Sequence, residues 1–149
     1  MDNGLYLVCC VADTWIGLPA AQVEAVVKVR DIVPIPHAPT AVRGLVAIRS
    51  RLLTVVDTAI AAGVDAMSSP TDEAVMMAIL SIDGYGYGLT LDVVDDVVEF
   101  TGFQPTMENF SPGWRRLASQ MVDFRGCIIL IIDPRTLVDT VQGTQLQAA

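Results

Sequence analysis

The segments RSRLLTVVD, residues 49–57, and RGCIILIID, residues 125–133, are the main evidence for the fold, because one pattern occurs twice in the chain. Each segment begins with Arg, contains a run of Leu, Val and Ile, and ends with Asp, and the two lie 76 positions apart. Short apolar runs bounded by charged residues are typical of buried β-strands. The sequence therefore predicts two equivalent buried strands, one in each half of the chain.

A second match extends this repeat toward the N-terminus. Residues 8–27 align with residues 79–98 at a constant offset of 71 positions, with no internal gap. Because both matches occur in the same order, we interpret the chain as a duplication. The matched pairs are Val8 and Ile79, Val11 and Ile82, Gly17 and Gly88, Leu18 and Leu89, Val23 and Val94, Val26 and Val97, and Val27 and Val98.

The duplication predicts one domain made of two related halves, at residues 5–65 and 74–140. An exposed link is expected at 66–73 and a flexible tail at 143–149. Each half is predicted to contain short strands followed by a short helix. The predicted strands are 5–11, 15–18, 52–57, 75–82, 85–91 and 127–133, and the predicted helices are 58–62 and 134–140.

Three other segments are less regular in sequence. Helical spacing of the valines in 20–27 predicts a short helical turn, whereas 93–99 fits a helix or a strand. The prolines and glycine of 104–116 predict an irregular loop. Many short strands without long alternating helices predict a mainly β protein of two small β-barrels packed together.

Composition excludes several function classes. A net charge of −8 argues against nucleic acid and anionic membrane surfaces as partners, because both require basic surfaces. Although 52% of the residues are hydrophobic, no apolar stretch reaches the roughly 18 residues of a membrane span, so no direct membrane insertion is predicted. The N-terminus lacks a basic signal-peptide region, which favours a cytoplasmic protein with its three cysteines as free thiols.

The sequence offers little material for catalysis. The single histidine, His37, lies between Pro36 and Pro39, and no nucleophile elbow, P-loop or dinucleotide fingerprint is present. One His and three scattered Cys do not make a metal site, and no cofactor is predicted. The acidic segment 92–99 fits a solvated edge better than a cation site.

The charges are unevenly distributed. Five of the nine basic residues fall within residues 28–51 and form a basic island. This island either makes an oriented contact with an acidic partner surface or is a solvated face without a partner. A barrel that senses a small anion through Arg43, Arg49 and Arg51 is an alternative, and an internal pair of Arg49 with Asp57 is as plausible as a recognition role for Arg49. The basic residues that cluster in the first half are Lys28, Arg30, Arg43, Arg49 and Arg51.

A proline and glycine pattern precedes the first buried strand. Pro36 and Pro39 stiffen the approach, Gly44 supplies a backbone conformation that other residues adopt at a cost, and Arg49 follows. In this spacing, closed by Asp57, the sequence resembles the CheW-like coupling proteins of bacterial chemotaxis. The resemblance extends from about Leu5 to Val138 and includes Gly17, Leu18, Val23, Leu91, Asp92 and Val97.

The resemblance implies two five-stranded SH3-like β-barrel subdomains and a non-catalytic adaptor. Such an adaptor couples the cytoplasmic tip of methyl-accepting chemoreceptors to the regulatory domain of a CheA-type sensor histidine kinase. An adaptor of a non-motility signalling pathway remains the alternative. By resemblance Arg49 and Val23 are candidate partner-binding residues, and the basic island adds Arg43 and Arg51, with Ile48 beside Arg49.

The sequence also departs from the family pattern. Ala47 and Ser50 replace the usual Asn and Gly, and Ala25 stands where Glu is common. Because Ser lacks the conformational freedom of Gly, a different bend is expected at Ser50. The second copy keeps the Arg-Gly pair as Arg125 and Gly126.

Overall fold

The computed structural model describes residues 4–64, 74–105 and 110–148, with side chains as far as Val141. Within these residues the chain forms ten strands, a short 3-10 turn at Ala20–Gln22 and three helices. The strands are β1 (Gly4–Val11), β2 (Thr14–Pro19), β3 (Val23–Val29), β4 (Val42–Ile48), β5 (Arg51–Val56), β6 (Val75–Ile82), β7 (Tyr85–Leu91), β8 (Val93–Phe100), β9 (Ala118–Phe124) and β10 (Cys127–Ile132). The helices are α1 (Thr58–Ala61), α2 (Pro112–Leu117) and α3 (Pro134–Ala148).

The strands form two five-stranded sheets. The strand order is β8-β1-β2-β10-β9 in the first sheet and β3-β6-β7-β5-β4 in the second. One pair in each sheet is parallel, β2 with β10 and β5 with β7, and the other pairs are antiparallel. The predicted mainly β fold class, with two five-stranded units, is confirmed.

The register of the strand pairs confirms the duplication. Val8 pairs with Gly17 in the first sheet, and their repeat partners Ile79 and Gly88 pair in the second. The parallel pairs agree too, because Gly17 faces Ile131 and Gly88 faces Val55. The two sheets are therefore copies of one another, strand by strand.

Each sheet nevertheless combines strands from both halves of the sequence. β1 and β2 pair with β8, β9 and β10, whereas β6 and β7 pair with β3, β4 and β5. This corrects the expectation that residues 5–65 and 74–140 each form their own sheet. An apolar run specifies that a strand is buried, but its pairing partner is set by tertiary packing.

The other differences concern local elements. The helical turn predicted over 20–27 ends at Gln22, and β3 follows, because β-branched valines favour a strand. The segment predicted as a loop over 104–116 contains α2, whose first residue is Pro112. β4 and β9 were not predicted at all. α3 continues past its predicted end to Ala148, and the predicted link at 66–73 lies outside the described residues.

A single backbone bridge joins the two edges of each sheet. In the second sheet, Val33 and Leu45 exchange two hydrogen bonds of 2.8 Å, which ties the chain beyond β3 to β4. Gln104 and Met121 do the same in the first sheet. Both sheets therefore curl so that their outermost strands meet.

Gly44 makes the bridge of the second sheet possible. Its φ is +147°, and a Cβ there would lie 2.1 Å from the carbonyl oxygen of Val33. Gly44 also sits at the bulge where the pairing of β4 with β5 shifts. The predicted structural role of Gly44 is thus a close backbone contact.

The core has three parts. The largest cluster fills the seam between the two sheets and includes residues from all three helices. Smaller clusters fill the concave side of each sheet. Because the seam and both concave sides are filled, the surfaces left for function are the outer faces and the hairpin tips.

Candidate functional site: the β4–β5 hairpin and its groove

The β4–β5 hairpin turns through Arg49 and Ser50. Both residues have positive φ, 51° and 65°, and two such residues form the turn whose twist suits a two-residue hairpin. Their repeat partners Arg125 and Gly126 have φ of 55° and 80°. The expectation of a different bend at Ser50 is therefore wrong, because Ser50 adopts the left-handed conformation that Gly126 adopts more easily.

Arg49 is exposed at this tip. In the described part of the chain its guanidinium has no hydrogen-bond or ion-pair partner. Asp57 lies beyond the far end of β5, about 26 Å along an extended chain. There the Asp57 carboxylate caps α1 by accepting a hydrogen bond of 3.1 Å from the backbone N–H of Ile60. The internal pair of Arg49 with Asp57 does not form, and the guanidinium fork of Arg49 faces solvent.

The guanidinium group of Arg51 forms hydrogen bonds with other side chains of the same protein. Its Nη1 donates to both carboxylate oxygens of Glu24, at 3.1 and 3.0 Å, and its Nη2 donates to Ser81 Oγ. Ser81 Oγ in turn donates to Glu24 at 3.1 Å. The three residues connect β5, β3 and β6, so the predicted partner-binding residue Arg51 is occupied in an internal network.

This network depends on the curvature of the sheet and on a glycine. In a flat sheet β3 and β5, three strand spacings apart, would be about 14 Å from one another. The Arg51 side chain passes over Gly86 of β7, where a Cβ would lie 3.0 Å from Arg51 Nε. The missing side chain at Gly86 leaves the path open.

The other candidate residues differ in accessibility. Ile48 is half-buried at the end of β4 and packs against the core of the second sheet. Arg43 is half-buried near the start of β4, about 20 Å along the strand from Arg49. Val23 is half-buried against the seam cluster. The partner contacts of all three stay predictions.

These positions argue against a small-anion site. Arg43 and Arg49 lie at opposite ends of β4, and the guanidinium of Arg51 is paired with Glu24. Three guanidinium groups that do not converge cannot enclose one small ligand.

A shallow groove runs beside the hairpin, between the chain at 29–33 and the adjoining ends of β4 and β5. We call it the β4–β5 groove, and its volume is about 430 Å³. Its most exposed apolar members are Val33, at 64%, and Leu52, at 63%. Ala47 lies directly opposite Leu52 in the strand pair. The residues lining the groove are Val29, Arg30, Asp31, Val33, Leu45, Val46, Ala47, Ile48 and Leu52.

Tyr85 extends the apolar surface onto β7. Thr54 pairs with Tyr87, so Leu52 and Tyr85, two residues earlier on each strand, lie on the same face. Tyr85 is 69% exposed, the most exposed of the large apolar side chains described. Clustered exposed apolar side chains with a charged residue at the rim are typical of protein interfaces.

The second copy of the repeat lacks this surface. The counterparts of Val33, Ala47 and Tyr85 are Gln104, Asp123 and Thr14. The counterpart of Leu45 is Met121, which is buried. The two sheets share the same strand order and register, so they differ here only in their side chains. The β4–β5 groove is therefore the copy in which this surface is apolar.

Comparison with known proteins identifies the family. The family model described as "CheW-like domain" matches residues 5–142. The chain belongs to the CheW-like family. No curated protein matches the chain.

A solved CheW structure supports the same fold. The crystal structure of the scaffolding protein TtCheW from Thermoanaerobacter tengcongensis aligns with a TM-score of 0.74 at 23% sequence identity. The alignment covers 87% of this chain and 88% of that chain. The two five-stranded sheets are therefore the two subdomains of the CheW fold, and membership of the CheW-like family makes this chain non-catalytic.

The family motif of this CheW-like chain falls on structural positions of different kinds. Pro39 accepts a hydrogen bond of 2.9 Å from the N–H of Val42 and so sets the entry to β4. Pro36 is exposed in the preceding loop. Gly44 and Asp57 shape the backbone, and only Arg49 of the motif projects from a hairpin tip. The motif therefore combines a scaffold with one exposed recognition residue.

Burial determines the chemistry of the Cys9 thiol. Burial raises the pKa of the Cys9 thiol to about 12, and neighbouring Cys10 adds to the effect, so Cys9 stays a neutral thiol. Among the described residues no group of three or more His, Cys, Asp or Glu is placed to hold a metal ion. None of the helices described has the length and apolar character needed to span a bilayer.

Sequence reasoning missed the apolar part of this surface. It selected Arg49 and Ile48 as candidate partner-binding residues but not Val33, Leu52 or Tyr85. The segment 42–48 was not assigned to a strand, because its apolar residues do not alternate with polar ones and it contains Gly44 after two prolines.

Proposed function

We propose that this CheW-like chain is a cytoplasmic adaptor that couples chemoreceptors to a CheA-type sensor histidine kinase in bacterial chemotaxis. Its partners would be the regulatory domain of the kinase and the cytoplasmic tip of a methyl-accepting receptor. One outer face meets each partner, and the adaptor is recruited to receptor arrays through them. Family membership supports the scaffold role, and the surface chemistry supports the way in which it works.

The observation that carries the proposal is the combination of Arg49 with the β4–β5 groove. Arg49 immediately follows Ile48, which lines the groove, and Arg49 has no partner among the described residues. Exposed apolar side chains supply the buried area of an interface, and an arginine fork at the rim supplies direction by binding a carboxylate or a helix-end carbonyl.

Charge complementarity favours the same surface. The chain carries a net charge of −8, so most of its surface repels an acidic partner. Arg30 lines the groove together with Ile48, and Arg49 follows Ile48 at the hairpin tip, against a single acidic lining residue, Asp31. The two arginines therefore favour an acidic partner surface at the groove.

The test is a binding measurement with a single charge reversal. Arg49→Glu should weaken binding of at least one partner by about tenfold or more, which corresponds to about 1.4 kcal/mol. The thermal melt should stay nearly unchanged, because Arg49 makes no contact within the described structure. Isothermal titration with the purified kinase domain and with a receptor-tip fragment would measure both affinities.

Arg115→Glu is the matched control. Arg115 is exposed on α2, outside the groove, and its reversal changes the net charge by the same amount. If both reversals weaken binding equally, the effect is general electrostatics and the site assignment fails. Wild-type protein that binds neither partner would refute the proposed function.

A further inference from the structure

The network of Arg51, Glu24 and Ser81 has no role in the proposed contact. It is open to solvent, since the side chains of Arg51 and Glu24 are 39% and 46% exposed, so it is not a requirement of the core. Arg51 pairs with Ile48 to close the two-residue turn, so the network lies directly beside the hairpin tip. The contacts of Arg51 with Glu24 and Ser81 therefore restrain the position of the hairpin tip.

The geometry of the network is suited to restraining the hairpin, and we call the contacts among Arg51, Glu24 and Ser81 the hairpin lock. β4 is the outermost strand of the second sheet, and within the sheet it is paired only with β5. The Val33–Leu45 bridge fastens the middle of β4, leaving the tip at Arg49 beyond it. Arg51 is the first residue of β5, and its guanidinium joins that strand end to β3 and β6.

Glu24 is placed for this role by an irregularity in β3. The pairing of β3 with β6 shifts between Val23 and Ala25, so Glu24 is the extra residue of a β-bulge. A bulge redirects a side chain without ending the strand. Here it aims the carboxylate at Arg51 across the mouth of the curled sheet.

The second sheet alone carries this arrangement. The counterparts of Arg51, Ser81 and Gly86 in the first sheet are Cys127, Cys10 and Trp15. A short thiol replaces the guanidinium, and an indole occupies the path that Gly86 leaves open. The lock therefore occurs in the same copy of the repeat as the β4–β5 groove.

We propose that Arg51, Glu24 and Ser81 are positioning residues, which hold the β4–β5 hairpin so that Arg49 is presented to the partner. Arg51 acts through Glu24 and does not touch the partner. This inference rests on the proposed function for its binding consequence, but the effect on the hairpin stands apart from any partner. It differs from the sequence-based prediction, in which Arg51 is itself a contact.

Hydrogen exchange measures the positioning directly. In Arg51→Met the amides of Ile48 to Leu52 should exchange about three- to tenfold faster by NMR, because the tip opens more often. Glu24→Gln should have a similar effect. Arg43→Met is the matched control: it removes an arginine from the same hairpin at the other end of β4, and exchange at the tip should not change.

A charge swap separates positioning from contact. The double variant Glu24→Arg with Arg51→Glu rebuilds the pair with reversed polarity, so it should restore slow exchange and bring partner affinity back to within about twofold of wild type. Single variants should weaken binding about three- to tenfold. If the swap restores exchange but not affinity, Arg51 contacts the partner and the inference is overturned.

Failure of the inference and failure of the proposed function give different results. Unchanged exchange in both single variants would overturn the lock, whatever the affinities are. If wild-type protein binds neither partner, the proposed function fails while the exchange result still decides whether the lock exists.

Discussion

Replacing Gly44 by Ala should destabilise the protein through one specific contact. A Cβ at residue 44 would lie 2.1 Å from the Val33 carbonyl oxygen and 2.7 Å from its carbon, so the backbone must move apart. That movement breaks the two Val33–Leu45 hydrogen bonds, worth about 1 kcal/mol each. The positive φ of residue 44 adds about 1 kcal/mol for a residue with a side chain. The expected loss is about 3 kcal/mol.

Urea unfolding followed by circular dichroism measures this loss. With a slope of about 2 kcal/mol per molar urea, the midpoint should fall by about 1.5 M. Gly126→Ala is the matched control, because Gly126 also has positive φ but a Cβ there meets no atom within 4 Å. It should cost about 1 kcal/mol from backbone strain alone. Equal losses in the two variants would refute the bridge as the reason for glycine at position 44.

Two smaller predictions concern stability. Ser50→Gly should raise the free energy of unfolding by about 0.5–1 kcal/mol, because it relieves a left-handed serine at the hairpin tip; a decrease in the urea midpoint would contradict this. Burial raises the pKa of Cys9 in the folded protein, so between pH 9 and 12 the thiol ionises in the unfolded chain but not in the folded one. The free energy of unfolding should therefore be unaffected by this group below pH 9 and should decline between pH 9 and 12. Cys9→Ala should remove this part of the alkaline decline in urea titrations, and an identical decline in both proteins would count against it.

Local patterns in the sequence predicted the strands that are bounded by clear turn or charge signals. β6 and β7 were predicted with their observed ends, because Asp83 and Gly84 mark the hairpin between them. β10 was predicted to within one residue, because its run of Ile and Leu ends at Asp133. β4 was not predicted because Gly44 and the preceding prolines resemble a loop. β9 mixes Ser, Gln and Asp with Met and Val, so its alternation is weak.

Features that depend on contacts between residues far apart in the chain could not be predicted from the sequence. The exchange of strands between halves requires the pairing partners to be known, and these are chosen during packing. The ion pair of Arg51 joins residues 27 positions apart through a bulge and a missing side chain at Gly86. The family motif made Arg49 a candidate for partner binding, but its position at a hairpin tip follows only from the pairing of β4 with β5, and its separation from Asp57 only from the length of β5.

A ternary binding measurement tests the adaptor role most directly. The chain would be immobilised and saturated with the kinase regulatory domain, and the receptor-tip fragment would then be added while the bound mass is followed. An adaptor that uses separate outer faces predicts that the second partner adds its full mass without displacing the first. Displacement of the kinase domain, or no binding of the receptor fragment at any concentration, would contradict the account.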